Sequence, residues 1–167
     1  MVASGEDEQS DPGLPAGERV MAHARGKAHD VVARAGIPRG GAVLAADTEV
    51  VLDGRALGKA ATPDEARAML LSLAGRAHQV MTGVVLVTAG GEREALERAE
   101  VRFRPITPPV LDWYLARGEW QGRAGAYAIQ GAGAALVESV TGDPSTIIGL
   151  PVATVAAMLV EEGLFPG

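Results

Sequence analysis

The sequence contains no cysteine. That excludes a disulfide framework, a thiolate zinc site and a cysteine nucleophile, and it fits a reducing compartment. Aromatic residues are scarce, and two Phe, two Tyr and two Trp do not furnish a stacking platform for nucleic-acid bases. Basic residues are outnumbered, with 15 Lys and Arg against 21 Asp and Glu. An acidic chain makes a poor nucleic-acid or anionic-membrane binder, because such affinity comes from basic surface. It leaves room for a small anionic substrate held by a local cluster of Lys, Arg and metal. No stretch approaches the roughly 18 apolar residues of a membrane span. Met1-Val2-Ala3-Ser4 lacks a charged start followed by an apolar core, so no signal peptide is expected and a cytoplasmic protein is.

What is present reads as one domain of 167 residues, against a prior of roughly 150 per domain. Residues 1–17 mix Glu, Asp, Ser, Gly and Pro and are expected to form a frayed acidic terminus. From Glu18, Val20, Ala24, Ala28, Val31 and Ala35 recur at helical steps until Gly36 and Pro38 stop them. Lys27 falls on this stripe, where a snorkelling side chain would also place it. Ala42 to Ala46 reads as a buried strand stopped by Asp47, with Thr48 to Leu52 extended beyond it. Asp53-Gly54 signals a two-residue hairpin into Arg55–Lys59. Thr62-Pro63-Asp64-Glu65 supplies an N-cap, a first-turn Pro and a capping-box Glu. Two extended segments, His78 to Thr88 and Arg93 to Arg104, flank a Gly-rich turn and predict an antiparallel pair. The Glu-rich first half of the second also fits a helix. A helix from Thr107, a strand over Ala134–Val140, a turn at Gly142–Ser145 and a last helix over Pro151–Glu162 complete a mixed α/β sheet.

Asp47 is the most informative position for chemistry. A carboxylate at the carboxyl end of a buried strand faces the crevice where open α/β sheets bind ligands, although a turn Asp bonded to its own backbone would occupy the same place. Lys59 lies just past the hairpin and is placed to share a cleft with Asp47, or else to be a solvated surface Lys. Asp7-Glu8 is a carboxylate pair within an acidic run. His23, His29 and His78 lack metal-ligand spacing, since His23 and His29 are six apart and fall on different helix faces. There is no nucleophile elbow, no P-loop and no dinucleotide fingerprint. A carboxylate-plus-lysine cleft suits a divalent metal and a phosphorylated substrate, because Mg²⁺ favours one or two carboxylates plus phosphate oxygens.

Four stretches in order carry a resemblance. They are Ala45-Ala46-Asp47-Thr48-Glu49-Val50-Val51-Leu52-Asp53-Gly54 with Leu57-Gly58-Lys59; Gly75-Arg76-Ala77-His78-Gln79-Val80-Met81-Thr82-Gly83; Ala124-Gly125-Ala126-Tyr127-Ala128-Ile129-Gln130-Gly131; and Gly142-Asp143 through Ile148-Gly149-Leu150-Pro151. Together they resemble the Maf family of nucleotide pyrophosphatases, which implies a twisted mixed sheet flanked by helices, like that of inosine triphosphatases. The resemblance implies hydrolysis of a nucleoside triphosphate to the monophosphate and pyrophosphate with a divalent cation, Mg²⁺ or Mn²⁺, and a homodimer. It gives Asp47 the role of proton acceptor and metal ligand, Lys27 and Lys59 the substrate phosphates, and Glu8 a share of the metal. Thr48 and Gln130 match the branch acting on dTTP and UTP, where the 7-methyl-GTP branch carries Gln and Glu. A Gln amide donates and accepts, matching the O4 and N3–H edge of uracil or thymine.

Family members open with an apolar strand and a Ser-x-Ser-x-Arg-Arg loop ahead of the Asp-Glu pair, whereas only six residues separate Met1 from Glu8. The resemblance therefore implies a truncated or misassigned start. Two further readings follow: a catalytically silent nucleotide-binding or division-regulating protein, and an inosine-triphosphate-type pyrophosphatase, which Gln130 disfavours.

Overall fold

The structure, a computed structural model, describes residues 14–165. The first element is helix α1 (Ala16–Ala35), whose Val20, Ala24 and Ala28 repeat every four residues and are fully buried. It leads into β1 (Ala42–Leu52), the hairpin strand β2 (Arg55–Leu57) and α2 (Pro63–Leu73). Asp53 and Gly54 both take positive φ, 51° and 76°, as the primed hairpin turn requires. Thr62 caps α2 by accepting from the Glu65 amide at 3.2 Å, and Glu65 reaches back to the Ala61 amide at 2.7 Å. The long antiparallel pair β3 (Ala77–Thr88) and β4 (Gly91–Phe103) follows, then α3 (Pro108–Ala116), β5 (Val137–Thr141), α4 (Pro144–Ile148) and α5 (Val152–Glu161).

The five strands form one sheet in the order β2-β1-β3-β4-β5, every ladder antiparallel. Strand alternation divides the side chains between two faces. Val51, Met81 and Val85 meet α1. Val50, Val80, Val101 and Phe103 meet α2 and α3 through Leu70, Leu73, Leu111 and Tyr114. Val84 and Leu86 meet Val155 and Met158 of α5. Helices on both faces of a sheet give the expected α/β class.

Gly83 sets how closely α1 approaches. A Cβ there would stand 2.8 Å from Met21 Sδ and 3.1 Å from the Val20 carbonyl oxygen. Since Gly83 is the register partner of Asp47, the missing side chain brings the helix down beside that carboxylate.

Four local expectations need correction. Asp47 does not stop a strand; it lies inside the eleven-residue β1, where a salt-bridged carboxylate is tolerated. The strand expected over Ala134–Val140 begins as a 3₁₀ turn, Gly131–Leu136, so only its second half joins the sheet. The turn at Gly142–Ser145 is a helix start, because Asp143 accepts from the Ser145 amide at 2.8 Å and opens α4. Helical structure also begins at Ala16, inside the stretch expected to fray; residues 1–13 of that stretch lie outside the described residues.

Candidate active site

One face of α1 and one face of β1 build the site. On the helix, Arg19, His23 and Lys27 follow at four-residue intervals, one position ahead of the buried Val20, Ala24 and Ala28. They form a polar row along the margin of the apolar one. On the strand, Asp47 and Glu49 alternate onto the face that meets α1. The two rows pair in register. Lys27 Nζ donates to Asp47 Oδ1 at 2.5 Å, His23 Nδ1 stands 3.4 Å from Asp47 Oδ2, and Arg19 grips both oxygens of Glu49 at 2.7 Å. Asp47 is only 7% exposed. A buried carboxylate needs such compensation, since removing one partner of a buried pair leaves an uncompensated charge.

Among the described residues, β2 pairs with β1 only from Val50 onward, so the edge of β1 beside Asp47 and Thr48 opens into a cleft of about 400 Å³. Lys27, Asp47, Thr48, Lys59, Arg123 and Gln130 line it. The volume is that of a small-molecule site. A second hollow of about 540 Å³ shares Asp47, Thr48 and Lys59 and extends to Arg19, His23 and Glu49.

Lys59 is positioned by a single bridge to Ala124 and by the Gly125 amide, which donates to the Leu57 and Gly58 carbonyls at 3.2 and 3.0 Å. These contacts set Lys59 on the cleft that Arg123, the neighbour of Ala124 in the chain, also lines. The segment carrying Gln130 is anchored from below. Tyr114 Oη accepts from the Ala128 amide at 3.2 Å, and Glu119 Oε2 accepts from the Ala132 amide at 2.9 Å. Tyr127, which also lines the cleft, meets His78 Nε2 through its hydroxyl at 2.9 Å. Burial pushes His78 down to about 4 and the Tyr127 hydroxyl well above the usual phenol range, so both are neutral at physiological pH.

Thr48 has a defined polarity. The Thr82 hydroxyl donates to the Thr146 carbonyl at 2.7 Å, which spends its one proton. The 2.8 Å contact between the Thr48 and Thr82 hydroxyls is then a donation from Thr48. Thr48 therefore offers the cleft an acceptor and no donor.

Residues 1–162 match the family described as Maf, Maf-like protein. The chain belongs to the Maf family. It is similar to the dTTP/UTP pyrophosphatase of Anaeromyxobacter sp. (strain Fw109-5), 44% identical over 162 residues that span 94% of this chain and 76% of that protein. It is similar also to that of Anaeromyxobacter dehalogenans (strain 2CP-1), 44% identical over 96% of this chain and 80% of the relative. With that of Halalkalibacterium halodurans it shares 46% identity over 86% of this chain and 75% of the relative.

Within this Maf chain, five of the six positions singled out in the sequence converge on one cleft: Lys27, Asp47, Thr48, Lys59 and Gln130. The sixth, Glu8, lies outside the described residues. The sequence alone does not single out Arg19, Glu49, Glu119 or Arg123, and its spacing argues against His23 as a metal ligand. His29, the histidine nearest His23 in the sequence, points elsewhere and meets Glu92 at 2.6 Å. The relevant neighbours of His23 are Lys27, one helical turn on, and two carboxylates more than twenty residues away. The polar row at 19, 23 and 27 together with the alternation at 47 and 49 was the available signal. His23, Asp47 and Glu49 each offer a donor atom, all within 4.8 Å of one another, and form a group able to hold a cation.

Proposed function

We propose that this protein is a nucleoside triphosphate pyrophosphatase acting on dTTP and UTP, releasing pyrophosphate and leaving the monophosphate. The observation that carries the reading is the ion-paired Asp47 on the wall of a cleft whose other wall holds Lys59, Arg123 and Gln130. Family membership and the names of the similar proteins support the same substrates.

The chemistry follows from the charges. Water attacks the α-phosphorus, its proton passes to Asp47, and the bond to the bridging oxygen of the β-phosphate breaks as pyrophosphate leaves. Lys27 holds one carboxylate oxygen and thereby aims the other, which is the orientation a general base needs. Lys59 and Arg123 face the polyphosphate and oppose the charge that develops on its oxygens. For the base, Thr48 accepts from N3–H of uracil or thymine, and the Gln130 amide supplies the donor for O4. Cytosine offers no N3–H, so it leaves the Thr48 acceptor unpaired and binds less well.

A divalent metal, Mg²⁺ or Mn²⁺, belongs to this reading. The carboxylates of Asp47 and Glu49 fit such an ion; when bound it would neutralise phosphate charge and acidify water. Asp47 would hold it, together with Glu8 by the family resemblance. A homodimer and a cytoplasmic location complete the reading; among the described residues no helix is long and apolar enough to cross a membrane.

The test is pyrophosphate release from UTP, dTTP, CTP and GTP. Release from the first two that disappears in Asp47→Asn is the expected outcome. Tight nucleotide binding without turnover, equal in both chains, would instead establish a silent binder.

A further inference from the structure

The polar row on α1 carries a residue that the pyrophosphatase reading does not use. We infer that His23 is a metal ligand, making the cation centre beside Asp47 a mixed nitrogen–oxygen site that prefers transition-series dications to Mg²⁺. The inference rests on the reading of Asp47 as the carboxylate of a metal-assisted site.

Three observations carry it. First, His23 Nδ1 faces Asp47 Oδ2 at 3.4 Å. That is long for a hydrogen bond, yet close to the roughly 3 Å that separates adjacent donors of one ion held about 2.1 Å from each. Second, the contacts made by the two carboxylates leave each of them lone pairs to share. Lys27 engages Oδ1 of Asp47, the oxygen away from His23. Arg19 grips Glu49 through two parallel N–H bonds, and a carboxylate with about four lone-pair sites keeps two after such a grip. Third, the three donors border the hollow of about 540 Å³ that adjoins the substrate cleft, so an ion there is reachable from solvent and from a bound polyphosphate.

The donor chemistry then decides the selectivity. Mg²⁺ takes oxygen ligands almost exclusively and keeps several waters, whereas imidazole favours the later first-row ions. A His nitrogen in place of a third oxygen therefore raises affinity for Mn²⁺ and Co²⁺ while giving Mg²⁺ little.

The direct test is Mn²⁺ binding to the full chain without nucleotide, followed by electron paramagnetic resonance, with Mg²⁺ as competitor. Mn²⁺ should bind at least tenfold more tightly than Mg²⁺, and pulsed spectra should show the ¹⁴N coupling of a directly bound imidazole. His23→Phe should erase that coupling and weaken Mn²⁺ about tenfold or more, leaving Mg²⁺ affinity within a factor of two or three. Absence of the ¹⁴N coupling in the wild-type chain, or failure of Mn²⁺ to bind, overturns the inference without need of any variant. Pyrophosphate release from UTP with Mg²⁺ alone is measured alongside. If it persists while the ¹⁴N coupling is absent, only the His23 assignment falls. If it is absent with every ion, the pyrophosphatase reading falls.

Discussion

His78 makes the acid stability of this protein predictable. Its ring is 3% exposed, lies edge-on to Phe103 and Tyr127 at centroid distances of 5.0 and 5.5 Å, and donates to or accepts from Tyr127 Oη at 2.9 Å. Burial lowers its pKa from 6.5 to about 4. Above pH 6.5 the ring is neutral in both folded and unfolded chains and contributes no pH dependence. Between pH 6.5 and 4 the unfolded chain takes up a proton that the folded one refuses, so stability falls as pH falls. The full shift corresponds to about 3 kcal/mol, most of which is lost by pH 4.5. His78→Phe alone would orphan the Tyr127 hydroxyl at about 1–3 kcal/mol. His78→Phe with Tyr127→Phe removes both partners and leaves an apolar aromatic cluster within about 1 kcal/mol of wild type at pH 7. Urea unfolding followed by fluorescence of Trp113 and Trp120 gives the comparison. The double variant should gain on wild type by about 2–3 kcal/mol between pH 7 and 4.5. The ion-paired or capping carboxylates Glu94, Asp143 and Glu162, whose pKa values are held down by Arg25, Ser145 and Arg93, are common to both chains and cancel. A difference that stays constant with pH would refute the account of His78 as a buried neutral ring.

Two further outcomes follow from the site. Gly83→Ala places a methyl group 2.8 Å from Met21 Sδ. It should cost about 1–3 kcal/mol of stability and lower kcat about tenfold or more by moving Lys27 and His23 off Asp47, checked by denaturation and steady-state kinetics. Glu119→Ala frees the Ala132 amide and with it the segment bearing Gln130; the KM for UTP should rise about tenfold, the worth of a charge-assisted hydrogen bond. Glu119→Gln, which keeps an acceptor, should restore most of the loss, and an equal loss in both variants would mean that the carboxylate touches substrate itself.

Where local rules govern, the chain is readable from its residues alone. Val20, Ala24 and Ala28 disclose α1, Thr62 starts α2, and Asp53-Gly54 turns β1 into β2, because caps, turns and periodicity act over a few residues. β1 is harder to read. An Asp inside an apolar run looks like a stop signal until Lys27, twenty residues earlier, is seen to neutralise it. The same holds for His23 and Glu49: their partners are set by how α1 lies on the sheet, which Gly83 decides and no local pattern states. Asp143-Pro144 is ambiguous for another reason. An Asp before Pro serves a turn and a helix cap equally well, and only the packing of α4 against Thr82 through the Thr146 carbonyl separates them. Strand position alone sets Asp47 and Lys59 toward one cleft, and the family resemblance adds Lys27, Thr48 and Gln130 to them.

The central claim is that water directed by Asp47 attacks the α-phosphorus of a pyrimidine nucleoside triphosphate. The most direct measurement is hydrolysis of UTP in ¹⁸O-labelled water, with mass analysis of both products, on the wild-type chain and on Asp47→Asn. The account predicts one ¹⁸O in the monophosphate, none in pyrophosphate, and loss of turnover in the variant. Label in pyrophosphate, or label incorporation that persists in Asp47→Asn at the wild-type rate, would contradict it.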